Sequence, residues 1–243
     1  MIEKWIHVQR WPSQALVLPR MQAHRGYCGD GAQENTLAAF RAARARGALM
    51  FECDVRLSKD QIPVIFHDED LLRLAGLHDK VSDLTAVQLK DRAQVPTLAE
   101  VLLDPQVPRF VNIELKSVKK LDDALERKTA DVVRKLKAEN RVLFSSFNPF
   151  SLYRISLHLP QVPRALLVTP SDEPENHYLL KHMWLAPFFS FHCLHLDQAM
   201  VTESSMTFWA KKKIPVAVWT LKSKTEMQKY LQMGAISVIT DVL

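Results

Sequence analysis

Glu52, Asp54 and Glu114, together with His24 and His67, are spaced so that they could share one reaction centre. Glu52 and Asp54 alternate within the apolar run 51–55, and Glu114 alternates with Lys116 at the end of the run 110–115. On an extended strand, side chains two apart face the same way, so each pair projects together. Carboxylates brought within ~4 Å repel by about 4 kcal/mol per close pair at an effective dielectric of 20, so the cluster needs positive charge. A divalent cation such as Mg²⁺ or Ca²⁺ meets that need, because hard cations prefer oxygen ligands. Buried ion pairs with Arg25 and Lys116 would meet it as well, and the spacing leaves both readings open. His24 and His67 each end an apolar run. Two imidazoles at one rim can divide phosphodiester cleavage, one activating the attacking oxygen and the other protonating the departing alkoxide. Arg25 offers a planar fork for phosphate oxygens, and Gly26 would let a substrate approach the backbone.

The elements that must position these groups alternate along the chain. Short apolar runs at 18–24, 49–55, 110–115, 142–145, 165–168, 193–196, 216–220 and 236–240 read as strands. Segments of helical period read as helices at 36–46, 98–103, 121–139, 149–157, 178–185, 203–212 and 224–233. Thr97 followed by Glu100 forms a capping-box pattern. Eight strands with intervening helices in 243 residues have the size of an α/β fold of the (β/α)8 TIM type, read here as a single domain over 1–243. Residues 58–61 read as a turn into the run 63–67, which gives a hairpin after the second strand, with a small insertion at about 68–96. Only Val242 and Leu243 follow the last strand, too few for a closing helix. The N-terminal segment 3–11 is expected to cover that gap. In a parallel barrel the strands' C-terminal ends form the active rim, and both acidic pairs fall there.

Composition excludes other classes. The chain is 47% hydrophobic with a net charge of +5, and the excess positive charge is scattered, so nucleic acid is not an expected partner. Only 6 glycines are present, and no phosphate-binding glycine loop can be found. The 3 cysteines form no framework, which fits a reducing compartment, and the chain is expected in the cytoplasm. The N-terminus does not read as a signal peptide, and no stretch approaches ~18 apolar residues, so no transmembrane segment is expected. His192 and His195 could be drawn with Asp197 as a metal cluster, but their spacing on a strand separates the rings, and they read as core or loop histidines. The apolar stretch 184–189 reads as buried rather than as a lipid-facing groove. Cys28 and Cys53 read as packing residues.

AHRG (23–26), ENT (34–36), ECDVRLSKD (52–60), PVIFHD (63–68), NIELK (112–116) and VWT (218–220) occur in one order. Together they resemble the glycerophosphodiester phosphodiesterase family over roughly residues 21–241. The resemblance implies a TIM-type barrel with a small insertion after the second strand. It also implies hydrolysis of a small glycerophosphodiester to glycerol 3-phosphate and an alcohol, within lipid and glycerol metabolism. By the family pattern Glu52, Asp54 and Glu114 hold one divalent cation, Mg²⁺ or Ca²⁺, and His24 and His67 are the acid and base. Arg25 and Lys116 then contact phosphate, and Trp219 lies against the glycerol or the leaving group. Gln33, Gln61 and Leu221-Lys222 depart from the family pattern without removing a proposed ligand or titrating group. Alternatives are a lysophospholipase D-like enzyme, with contact to a lipid surface, and a non-catalytic phosphodiester-binding barrel. The retained charge cluster argues against the last.

Overall fold

The computed structural model describes residues 6–117, 122–171, 183 and 186–243. Its barrel strands are β1 Met21–Ala23, β2 Met50–Leu57, β4 Phe110–Leu115, β5 Val142–Ser146, β6 Arg164–Val168, β7 Cys193–Asp197, β8 Val216–Leu221 and β9 Ser237–Thr240. These eight are parallel to their neighbours in the order β1, β9, β8, β7, β6, β5, β4, β2, and pairing of β1 with β2 closes the ring. The fold is a TIM-type (β/α)8 barrel. The remaining strand, β3 Pro63–Ile65, runs antiparallel to β2 with Val55 opposite Ile65, as the turn signal implies. Ser58 donates through Oγ to Asp60 Oδ1 at 2.6 Å within that turn. Gln61 takes φ 60° where glycine would be cheapest.

Alternation along the strands separates two environments. Phe51, Cys53 and Val55 of β2 and Val111, Ile113 and Leu115 of β4 join a buried layer with Phe40 and Ala43 of α1 Leu37–Ala45. The intervening residues face the lumen. Leu16, Met50, Leu143, Ala165 and Cys193 form an apolar plug, four of them from the strands' N-terminal ends. Farther along the strands come buried polar residues, among them Asn112, Ser145 and His195. A graded lumen results, apolar at the bottom and charged at the top.

The connections use ordinary local signals. Thr36 caps α1 by accepting from the Ala39 N–H at 3.3 Å. Between β3 and β4 lie α2 Leu72–Ala75, a 3-10 turn Val81–Asp83, α3 Ala86–Ala93 and α4 Leu98–Leu103. Thr85 and Thr97 each form a reciprocal capping box, with Gln88 and Glu100 respectively. Val64, Phe66, Leu71, Val81, Leu84 and Leu89 make a small cluster of their own here. Helices α5 Ala124–Lys135, α6 Pro149–His158, α7 Glu203–Lys211 and α8 Lys224–Gln232 follow. The helix expected at 178–185 lies outside the described residues except for Met183.

Two expectations change. The described part of the N-terminal segment, residues 6–11, is tied through Gln9 to the β6–β7 side rather than to the seam after β9. Gln9 donates its N–H to Phe191 O at 2.8 Å and accepts through Oε1 from Arg164 at 2.7 Å. Arg164 draws it there, because this buried guanidinium needs acceptors and finds backbone carbonyls as well. In the stretch read as buried, Ala186 is buried but Phe188 is 79% exposed, and residues 184 and 185 lie outside the described residues.

Phe40 is fully buried and packs on Phe51 with ring centroids 4.4 Å apart. Phe40→Ala is expected to destabilise the fold by about 3–5 kcal/mol, measured by urea unfolding. A loss below about 1 kcal/mol would show that α1 is not a principal buttress of β2.

Candidate active site

The barrel register brings the acids together. Glu52 lies opposite Asn112, and Asp54 opposite Glu114. Each of Glu52, Asp54 and Glu114 offers an oxygen within 4.8 Å of the others, and all three are buried. Lys116 Nζ lies 3.2 Å from Asp54 Oδ1 and 2.5 Å from Glu114 Oε1. Arg25 Nε lies 3.3 Å from Asp54 Oδ2, and the Arg25 backbone N–H donates to Glu52 Oε2 at 3.1 Å. Arg25 takes φ 54°, a left-handed turn that sends both its backbone N–H and its side chain towards the acids. Asn35, also left-handed at φ 59°, clamps Asp54 from both sides. Its Nδ2 donates to Asp54 Oδ2 at 2.8 Å, and its Oδ1 accepts the Asp54 N–H at 3.3 Å.

Compensation within the cluster is unequal. Burial raises the Asp54 pKa, but Lys116 and Arg25 outweigh it and hold this carboxyl well below the usual range. Glu52 goes the other way. Burial pushes it up, Asp54 and Glu114 push it further, and the two cations do not offset the sum. Its buried Oε1 has no hydrogen-bond partner among the described residues. The ion pairs left open by the spacing therefore exist, yet they leave a buried oxygen unmatched beside two other carboxylates. That donor set, hard and oxygen-only, fits a divalent cation.

Both imidazoles reach the same cleft as the acids. His24, Arg25, Glu52, His67, Glu114, Lys116 and Trp219 all line it. His24 extends from β1, and its Nδ1–H donates to Asp241 Oδ1 at 2.7 Å, just past β9. The His67 Nδ1–H donates to Asp68 Oδ1 at 2.6 Å. In each ring this leaves Nε2 for the cleft, because a carboxylate can only accept. Burial lowers the His67 pKa, and Lys116 and Arg25 lower it further against the pull of Asp54 and Asp68. Trp219 donates Nε1–H to His195 O at 2.9 Å and stands edge-on to Phe147 at 5.6 Å, forming an aromatic wall.

Some readings need correction or addition. Gly26 does admit a close neighbour, but it is α1. A Cβ at Gly26 would lie 2.7 Å from the Ala39 carbonyl carbon, and φ is 91°. His192 accepts the Arg164 N–H at 3.0 Å, and His195 is fully buried in the lumen, so the two rings do not make a metal site together. Asp68, Asp241, Asn35 and Glu34 support the site without having been singled out. Asp68 and Asp241 directly follow strand runs, and Glu34 and Asn35 lie within ENT, but nothing in sequence spacing shows which side chain each would meet.

Such a rim suits a phosphodiester, an anion whose cleavage needs charge neutralised and protons moved at two oxygens. The chain matches the Glycerophosphoryl diester phosphodiesterase family over residues 24–243, and it belongs to that family. It is 29% identical over 232 residues to the glycerophosphodiester phosphodiesterase of Caldanaerobacter subterraneus, covering 90% of this chain and 92% of that protein. It is similar to the crystal structure of the Thermotoga maritima glycerophosphodiester phosphodiesterase, with TM-score 0.67 and 30% identity, covering 93% and 95% of the two chains. It is also similar to an Oleispira antarctica phosphodiesterase solved with the product sn-glycerol-3-phosphate, with TM-score 0.73 and 25% identity over 92% and 93% of the chains. No described helix is long and apolar enough to cross a membrane.

If the acidic cluster takes a cation, Mg²⁺ or Ca²⁺ at 100 times its dissociation constant should stabilise the chelator-treated protein by about 2.7 kcal/mol. Glu52→Gln, which removes a buried repulsive charge, should raise the cation-free melting temperature and abolish that increment in a thermal scan. An increment of equal size in wild type and Glu52→Gln would remove Glu52 from the ligand set.

Proposed function

We propose that this chain hydrolyses glycerophosphodiesters to glycerol 3-phosphate and an alcohol, with His24 and His67 as the proton-transfer pair. The observation that carries this reading is that both imidazoles line the acidic cleft with Nδ1 tied to a carboxylate of its own. Glu52, Asp54 and Glu114 would hold one divalent cation, Mg²⁺ or Ca²⁺. When bound, that ion supplies Lewis-acid neutralisation of the phosphate charge.

The chain's own residues do the rest. Arg25, steadied by Glu34 at 2.9 Å, presents its guanidinium to the phosphate oxygens beside Lys116. One imidazole removes the proton from the attacking oxygen, that of water or of the glycerol 2-hydroxyl with water then opening the cyclic phosphate, and the other delivers a proton to the departing alkoxide. Asp68 and Asp241 hold the rings in one tautomer throughout. Trp219 and Phe147 give the glycerol or leaving group an apolar wall, which limits water at the reacting phosphorus. The named relatives and the product in the Oleispira antarctica structure support glycerophosphodiesters as the substrate class.

The test is a coupled assay for glycerol 3-phosphate release from glycerophosphocholine, glycerophosphoethanolamine, glycerophosphoinositol and a lysophospholipid, with Mg²⁺, Ca²⁺ or chelator. Cation-dependent release from at least one water-soluble diester is expected, and turnover of the lysophospholipid alone would move the reading to the lipid substrate. His24→Ala and His67→Ala should each lower kcat by about 10²-fold or more on a substrate with a poor leaving group. Near-normal kcat in either variant would remove that histidine from proton transfer.

A further inference from the structure

Arg73 lies outside the barrel, on the four-residue helix α2, none of whose residues is buried. Its guanidinium holds two carboxylates at once. Nε donates to Asp68 Oδ2 at 2.6 Å, and Nη2 donates to Glu34 Oε1 at 2.6 Å. The other oxygen of Asp68 accepts the His67 Nδ1–H at 2.6 Å, and Glu34 Oε1 also accepts from Arg25 Nη1 at 2.9 Å. A half-exposed ion pair taken alone contributes little to stability. Here the pairing does something else, because it fixes the free end of the carboxylate on which His67 depends.

A carboxylate on a short side chain can turn about its Cα–Cβ and Cβ–Cγ bonds unless both oxygens are engaged. With Oδ1 on the imidazole and Oδ2 on the guanidinium, Asp68 has one orientation, and so does the ring it holds. Without Arg73, Asp68 is free to turn towards solvent, and Glu34 and Asp68 lose the cation that sits between them. His67 would then lose its fixed tautomer and aim. Helix α2 therefore reaches the reaction centre through the Arg73 side chain.

We propose that Arg73 is a positioning residue for His67, acting through Asp68, so that helix α2 outside the barrel sets the aim of an imidazole that lines the cleft. This rests on the reading of His67 as a proton-transfer group. The competing route runs through Glu34 to Arg25 and would act on phosphate binding instead.

A double-mutant cycle separates the two. Arg73→Met, His67→Ala, the double variant and Arg73→Lys are assayed for kcat and KM on a glycerophosphodiester, with thermal unfolding of each to confirm the fold. Arg73→Met is expected to lower kcat about tenfold or more with KM changed less than about twofold, and Arg73→Lys to recover part of the loss. In the His67→Ala background, Arg73→Met should cost less than about twofold, because the group it positions is gone. An equal loss in both backgrounds, or a raised KM with kcat intact, would overturn the positioning role in favour of the Arg25 route. If His67→Ala loses kcat and folded Arg73→Met does not, only the role of Arg73 fails. If His67→Ala itself keeps kcat, the reading of His67 fails and takes the role of Arg73 with it.

Discussion

Negative charge gathered inside the barrel is the constraint to which the rest of the site answers. Glu52, Asp54 and Glu114 are all buried, each offering an oxygen within 4.8 Å of the others. Removing ionised carboxylates from water is expensive unless they are paired and hydrogen-bonded. Lys116 and Arg25 supply the pairing, and the Arg25 backbone N–H and Asn35 supply hydrogen bonds. Two left-handed residues, Arg25 and Asn35, are held in place to deliver them. The arrangement favours Asp54 at the expense of Glu52, and this asymmetry is what a cation would relieve.

The barrel makes such a cluster tolerable by grading its lumen. An apolar plug around Leu16, Met50 and Leu143 closes the N-terminal end, so the polar residues of the lumen and the charged rim lie above a dry base. Burial is carried by the outward strand residues packed on helices, which leaves the inward positions free for chemistry. The same logic extends outwards through the supports of the rim. Asp241 and Asp68 each tie one imidazole, and Arg73 with Glu34 links the His67 side of the cleft to Arg25. Two of these contacts, Asp241 with His24 and Arg73 with Glu34, join residues from different connections, so the rim acts as a network more than as a set of separate side chains.

The barrel was legible because its signals are local. The runs at 110–115 and 98–103 match β4 and α4, and the pattern of Thr97 with Glu100 is a capping box in the structure. The hairpin could be read from its turn, although Gln61 adopts a conformation that glycine would take more readily. Gly26 was read correctly as a point of close approach but with the wrong partner, since a sequence does not say what will pack against a glycine. The N-terminal segment could not be placed, because its position depends on Arg164, a buried cation 155 residues from Gln9. Phe188 was misjudged for a related reason, as apolar composition does not tell which side of a loop faces solvent.

The sequence by itself determined the strand and helix alternation, the parity that puts Glu52 with Asp54 and Glu114 with Lys116, and the family membership carried by the ordered motifs. These follow from periodicity and from residue type at fixed short spacing. Only the tertiary structure decided that Asp241 serves His24 and that Arg73 stands between Asp68 and Glu34. Those pairings depend on barrel closure and on where the segment after β3 docks, and both are long-range packing outcomes with no local signal in the chain.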